Sequence, residues 1–291
     1  MNDFRRRLAG AGVLIADGAW GTELAWRGLA PGIAPEAWNV ERPDEVRAVA
    51  AAYVAAGADV ILTNTFGGTR FKLSKAGLAD RTADVNRFGA QISKDAAAGN
   101  ALVFASIGPT GELIEPLGEI SEGAAEAAFA EQVRALVAGG VDGFVIESFS
   151  DLGEAKGALK AVRENSTLPA VVSLTFEKGA RGYATMMGVT PEQAAKELEA
   201  AGVAAVGANC GIGSAQAVEI ARLMKPATRL PIWIKPNAGL PQLVQGKTVF
   251  PETPDEFAAN GVLIARAGAS IIGGCCGSTP EHIRRLAASL L

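Results

Sequence analysis

Histidine is all but missing from this chain: His282 is the only one in 291 residues. It stands three residues after Thr279 at an expected helix start, where a capping or surface role suits it better than acid–base work. Catalysis by a histidine base therefore has little support. A basic stripe is absent too, since 27 Lys and Arg are scattered among 31 Asp and Glu for a net charge of −4. Nucleic acid is not an expected partner. No apolar run reaches the roughly 18 residues of a membrane span, and residues 1–7 carry charge with no apolar stretch behind them. The composition reads as a soluble cytoplasmic protein with no membrane partner. Cysteine is scarce as well, at three. An odd number argues against a secreted disulfide framework and leaves reduced thiols for metal ligation or nucleophilic chemistry.

What the chain has in plenty is apolar sequence, 49% of it, enough to fill one large barrel or two smaller domains. Short β-rich apolar segments recur eight times, at residues 13–16, 60–63, 102–107, 143–146, 170–174, 204–208, 232–235 and 270–272. A helical pattern follows each, at 44–56, 81–98, 121–138, 151–164, 191–201, 215–224, 254–267 and 280–290. Thr190, Thr253 and Thr279 each precede a proline and an acid, a hydroxyl cap with proline at the first helical position. Continuous apolar strands alternating with helices predict an α/β protein, a single-domain (β/α)8 TIM barrel over residues 1–291, with a doubly wound sheet as the competing architecture. Links from helix to strand are short. Links from strand to helix are long and rich in Gly, Pro and aromatics, at 17–43, 64–80, 108–120, 175–189 and 236–253. They would gather at the carboxyl face of a barrel, where active sites lie.

All three thiols fall at strand ends, Cys210 after the sixth strand and Cys275 and Cys276 after the eighth. Three thiolates converging at one mouth suit Zn2+ with a fourth position open for water or substrate. The competing readings are a small buried hydrophobe at Cys210, a vicinal disulfide of Cys275 with Cys276, or a phosphate cradle made by the neighbouring glycines. Asp17 and Glu147 occupy equivalent mouth positions after the first and fourth strands. They read equally well as receivers of a substrate ammonium or as internal partners of Lys and Arg. Lys235 ends the seventh strand and raises a rival chemistry, a Schiff-base lyase acting on a phosphorylated substrate.

Seven motifs stand in order along the chain: Asp17-Gly-Ala-Trp-Gly-Thr22, Gly57-Ala-Asp-Val-Ile-Leu-Thr-Asn-Thr-Phe66, Ser106-Ile-Gly-Pro-Thr-Gly111, Ile146-Glu147, Gly207-Ala-Asn-Cys210, Pro236-Asn-Ala-Gly-Leu-Pro241 and Gly273-Gly-Cys-Cys-Gly277. Together they resemble the homocysteine S-methyltransferase family over almost the whole chain. The likeness is to the homocysteine-binding module of cobalamin-dependent methionine synthase and, through Thr185-Met-Met-Gly188, to bacterial betaine-homocysteine methyltransferase-like proteins. The resemblance implies methyl transfer to a zinc-bound thiolate of L-homocysteine, giving methionine, with Cys210, Cys275 and Cys276 as zinc ligands and Asn237 as a displaceable fourth. It further implies Asp17 and Glu147 on the substrate ammonium, and Thr65, Phe66 and Ser106 against the substrate.

The donor implied is S-methylmethionine, betaine or a similar small molecule, or else a separate corrinoid protein, because the chain is too short to include folate and cobalamin modules. A thiol-binding subunit working only with a methyl carrier is the remaining alternative. Animal betaine enzymes of this family have tyrosine where this chain has Gly67, which weakens direct betaine use. Trp20, Trp26 and Trp38 are candidates for a cage around an onium group or for a cover over the mouth. The sequence sets no oligomeric state.

Overall fold

A computed structural model of the chain describes residues 3–10 and 12–290. Its eight parallel strands are β1 (Leu14–Ile15), β2 (Val60–Leu62), β3 (Leu102–Ile107), β4 (Gly143–Phe149), β5 (Ala170–Leu174), β6 (Ala205–Gly213), β7 (Ile232–Asn237) and β8 (Ile271–Ile272). They lie in the order β1-β8-β7-β6-β5-β4-β3-β2. The two ends of that row meet through a bridge between Ala16 and Val60, with the Asp17 N–H donating to the Val60 carbonyl at 2.9 Å. The sheet is therefore a closed (β/α)8 barrel, and the doubly wound alternative is excluded. Closure gives every strand two neighbours and leaves no edge exposed.

The helices follow the strands as the sequence pattern predicts, and their caps explain where they begin. Thr190 and Thr253 each form a reciprocal capping box, with Gln193 and Glu256 respectively. Thr279 is capped differently. The His282 imidazole takes the place of the acid, its Nδ1 accepting from the Thr279 N–H at 3.2 Å while Nε2 reaches the Glu252 carbonyl at 3.0 Å. The single histidine is thus structural. At the other end of the barrel, Asp59 and Asp142 in the short helix-to-strand turns accept from the N–H of Ile15 and Val103, each at 2.8 Å. These bonds stitch a turn to the start of a neighbouring strand.

The interior of the barrel is filled by a cluster that includes Leu14, Val60, Leu62, Leu102, Phe104, Val145, Val171 and Trp233. A helix at Asp3–Gly10 that the hydrophobic pattern does not announce supplies one more member, Phe4, whose ring lies 5.0 Å from that of Phe104. Phe4 is 2% exposed. A second and larger shell, with Tyr53, Phe129, Phe144 and Phe257, packs the helices onto the outside of the sheet. Two further departures lie in the long loops, where hairpins form at Glu177–Gly179 with Gly182–Ala184 and at Gln242–Val244 with Lys247–Val249. Among the described residues no helix is long and apolar enough to cross a membrane.

Candidate metal and substrate site

The thiols are brought together by backbone hydrogen bonding between strand ends. The β6–β7 register slips between Asn209 and Gly213, and Cys210 within that irregularity has φ 57, the left-handed region that a cysteine adopts only when its surroundings enforce it. From the other side, the Cys275 N–H donates to the Pro236 carbonyl at 2.7 Å and the Ala238 N–H to the Cys276 carbonyl at 3.0 Å. Asn237 is thereby held between the two groups of thiols. The sulfurs of Cys210, Cys275 and Cys276 all lie within 4.8 Å of one another. All three are free and partly accessible, so neither a vicinal disulfide nor a fully buried Cys210 describes them. The glycines beside them do not form an open cradle, since a Cβ on Gly273 would lie 2.6 Å from the Asp17 carbonyl oxygen. Gly273 serves the close approach of β1 and β8.

Three thiols this close cannot titrate alike. Cys210, receiving hydrogen bonds from Cys275 and Cys276 and helped by the Gly211 N–H and the Asn237 amide, is pushed down to about 3. Cys275, which donates to that thiolate, is pushed up to about 12, and Cys276 is also raised. Such a cluster concentrates thiolate character where a soft cation would gain most. The Asn237 side chain interacts with Cys210, yet its Oδ1 is buried with no hydrogen-bond partner. A buried amide oxygen left unpaired costs about 1–3 kcal/mol, a cost that coordination would remove. Three sulfurs this close could hold a metal ion, and three cysteines are a ligand set known for Zn2+.

The inward-facing alternation of the strands carries polar groups to the same mouth: Ser106 stands two residues beyond Phe104, Glu147 beyond Val145, and Lys235 beyond Trp233. Glu147 accepts from the Ser106 hydroxyl at 2.5 Å. Burial raises its carboxyl to about 7, against the opposing pull of Lys235 and the Ser106 bond. Asp17 is placed differently. It is 0% exposed, with Oδ2 accepting from Trp20 Nε1 at 2.8 Å and from the Leu62 N–H at 2.7 Å, and Oδ1 bound to the Lys235 ammonium. Burial alone would lower Lys235, but Asp17 and Glu147 outweigh it and the ammonium is raised. A lysine held protonated and pinned to a carboxylate is a poor Schiff-base nucleophile.

The Thr65 hydroxyl donates to the Ser106 carbonyl at 2.8 Å, tying the β2 and β3 ends together. Phe66 remains 37% exposed. Asn209 was not singled out in the sequence, although it stands in the inward register directly before Cys210. Its Oδ1 accepts from Ser173 at 2.7 Å and from the Ser148 N–H at 3.0 Å, and its Nδ2 lies 3.9 Å from Cys275 Sγ.

These groups share a cavity of about 820 Å3 whose wall includes Trp20, Glu36, Thr65, Phe66, Ser106, Glu147, Lys235 and all three cysteines. That volume falls within the usual range of small-molecule sites, about 300–1,000 Å3. Asp17 lies behind the wall. Of the three tryptophans considered as a cage, only Trp20 faces the cavity. Trp38 is buried under Arg42 at 4.8 Å and Trp26 is 60% exposed.

Among protein families, the model described as Homocysteine S-methyltransferase matches residues 14–290. The chain belongs to the homocysteine S-methyltransferase family. Within it, the chain is 33% identical to the methionine synthases of Mycobacterium leprae (strain TN) and Mycobacterium tuberculosis (strain ATCC 25618 / H37Rv), over 96% of its own length and 24% of theirs. It thus spans about a quarter of the curated relatives it matches. Among solved structures, the homocysteine methyltransferase MmuM from Escherichia coli in its metallated form superposes with a TM-score of 0.83 at 25% identity, covering 99% of each chain. The apo form of MmuM gives 0.75 at 23% identity, covering 99% of this chain and 100% of that one.

Proposed function

We propose that the protein transfers a methyl group to the sulfur of L-homocysteine, giving L-methionine, and that Cys210, Cys275, Cys276 and Asn237 hold Zn2+ for this purpose. One observation carries the reading: three sulfurs cluster within 4.8 Å of one another in the wall of a cavity that Glu147 also lines, with the Asn237 amide on Cys210 and its Oδ1 left unpaired. Zn2+ bound there would supply the Lewis acidity that keeps a thiol deprotonated at neutral pH. Glu147, with the Ser106 hydroxyl on its Oε1, receives the substrate ammonium and so fixes which end of the amino acid faces the sulfurs. Asn237 would offer such an ion a neutral oxygen, a weaker partner for a soft metal than a thiolate. Thr65 and Phe66 shape the wall against which the substrate lies. Asp17 serves the same site through Lys235 and Trp20, and this arrangement favours internal pairing over direct contact with the ammonium. No side-chain base is needed, which agrees with a chain whose one histidine caps a helix.

The methyl group comes from a small donor or from a methyl-corrinoid protein, and the reaction is that of a cytoplasmic enzyme of one-carbon metabolism. The test is to incubate the zinc-loaded full chain with homocysteine and, in turn, S-methylmethionine, betaine or a methylated corrinoid protein, and to follow methionine. Replacing any one of the three cysteines with Ala should abolish both turnover and zinc retention while leaving the circular dichroism spectrum of the barrel in place. Full zinc retention in all three variants would overturn the assignment.

A further inference from the structure

The wall of the cavity carries a second group of side chains besides the sulfurs and Glu147. They include the ring of Phe66, the carboxylate of Glu36 and the side chain of Lys72. Glu36 is 3% exposed, its carboxyl raised by burial against the Gly67 hydrogen bond and the charge of Lys72, and its Oε1 accepts from the Gly67 N–H at 2.5 Å. Gly67 is the residue that permits this seat. A Cβ there would lie 3.0 Å from Oε1 and 3.1 Å from Oε2, so a side chain at position 67 would press directly on the carboxylate. Ring face and carboxylate together form a binding place for a cation.

The place is already taken. The Lys72 ammonium stands over the Phe66 ring, 4.4 Å from its centroid. Burial lowers Lys72, and the charges of Glu36 and Glu154 oppose that loss from beyond ion-pair contact. The lysine stem lies against the loop after β3, where a Cβ on Gly111 would be 3.1 Å from Lys72 Cε. Thr69 caps the helix Arg70–Lys75 that carries it. The side chain is therefore delivered to the cavity wall from a fixed point. We propose that Lys72 is an internal plug of a cation subsite built by Phe66 and Glu36, and that it is the residue that bars small onium methyl donors from the sulfur cluster. A tethered ammonium competes at an effective concentration on the order of millimolar or higher, and a free sulfonium or quaternary ammonium must displace it before its methyl group can approach. The inference rests on the proposed methyl transfer and narrows it: the donor is of a class that places no small cation on Phe66.

The experiment uses the zinc-loaded full chain and two probes, tetramethylammonium for binding and trimethylsulfonium for turnover with homocysteine. In that turnover the sulfonium C–S bond breaks with its electron pair returning to sulfur. Dimethyl sulfide leaves, and the homocysteine thiolate forms the new S–CH3 bond. Wild type and Lys72→Arg should show no saturable tetramethylammonium binding at millimolar concentration. Lys72→Met and Lys72→Gln should gain it, with an improvement of about tenfold in affinity and in trimethylsulfonium turnover, the size of one desolvated cation–ring contact. Adding Glu36→Gln to Lys72→Met should remove most of the gain. Equal tetramethylammonium binding by wild type and Lys72→Met, or no gain in either folded substitution, would overturn the plug. Zinc-edge spectroscopy with homocysteine reads the sulfur site separately. Lack of a new sulfur ligand there would defeat the proposed methyl transfer, whereas the tetramethylammonium result bears on Lys72 alone.

Discussion

Breaking the Asp17–Lys235 pair should unsettle the barrel well before it touches the chemistry. Asp17 is 0% exposed and the Lys235 side chain 3%, so Lys235→Met strands a carboxylate whose remaining partners among the described residues are Trp20 Nε1 and the Leu62 N–H. Removing one member of a buried ion pair costs about 3–5 kcal/mol, which for a chain of this size lowers the melting temperature by on the order of 10 °C. Asp17→Asn should cost less, because the ammonium keeps Glu147 as a counter-charge. The double variant, Asp17→Asn with Lys235→Met, is the decisive one. The introduced amide oxygen could still accept from Trp20 and Leu62, the introduced thioether would sit over Trp233, and Glu147, already raised to about 7 by burial, could take up a proton once Lys235 is gone, so the double should lie within about 2 kcal/mol of wild type. The assay is urea unfolding at pH 7 in the presence of chelator, so that metal binding adds nothing to any variant. Additive losses in the double variant, or single losses below about 1 kcal/mol, would refute the account of the pair as a mutually dependent buried unit. In the wild-type protein, borohydride with carbonyl substrates should leave Lys235 unmodified, since a trapped lysine adduct would favour the lyase.

Zinc-edge absorption of the loaded protein should show three sulfurs and one light atom, with a fourth sulfur after homocysteine is added; an unchanged spectrum at saturation would remove the metal from the reaction. Glu147→Gln should weaken binding of L-methionine by roughly 10–100-fold, as expected for loss of a charged hydrogen bond of about 1.5–3 kcal/mol, with zinc content unchanged. Because the Glu147 carboxyl is raised to about 7 by burial, it is protonated in the free protein below that pH, so methionine affinity of wild type should fall as pH drops from about 8 to about 6. The Gln variant should be flat over the same interval, and an identical slope in both would dismiss Glu147 as the ammonium receiver. Phe4→Ala should cost about 3–5 kcal/mol by opening a void at the floor of the barrel, measured by urea unfolding, and a loss under about 1 kcal/mol would show that the N-terminal helix adds little.

The barrel was legible because its signals are local. Eight apolar runs of strand length, Thr-Pro-acid caps and short Gly-containing returns each act within a few residues, and β1 to β8 form where they predict. The thiols were legible for a related reason, since a residue ending a barrel strand must face the common mouth. The partners of Asp17 were not. Lys235 lies 218 residues away in sequence, and only the pairing of β1 with β8 and of β8 with β7 makes a carboxylate at one strand end and an ammonium at another into neighbours. Glu36 hides in the same way, inside a long loop where no periodicity marks which side chains turn inward. The N-terminal helix leaves no such mark because one aromatic, Phe4, carries its packing, and a single buried residue makes no pattern. Asn209 does leave a signal, since Ala205, Gly207 and Asn209 share one face of β6, but it is faint beside the adjacent cysteine.

Phe4, placed against Phe104 beneath the other inward side chains, closes the floor of the barrel and leaves one way in. A vessel with one opening fills and empties through the same neck. Under the proposed reaction, homocysteine, the methyl donor and methionine would all pass the mouth that Glu36, Phe66 and Lys72 help to line. A side chain that touches none of them keeps the traffic to one face of the barrel.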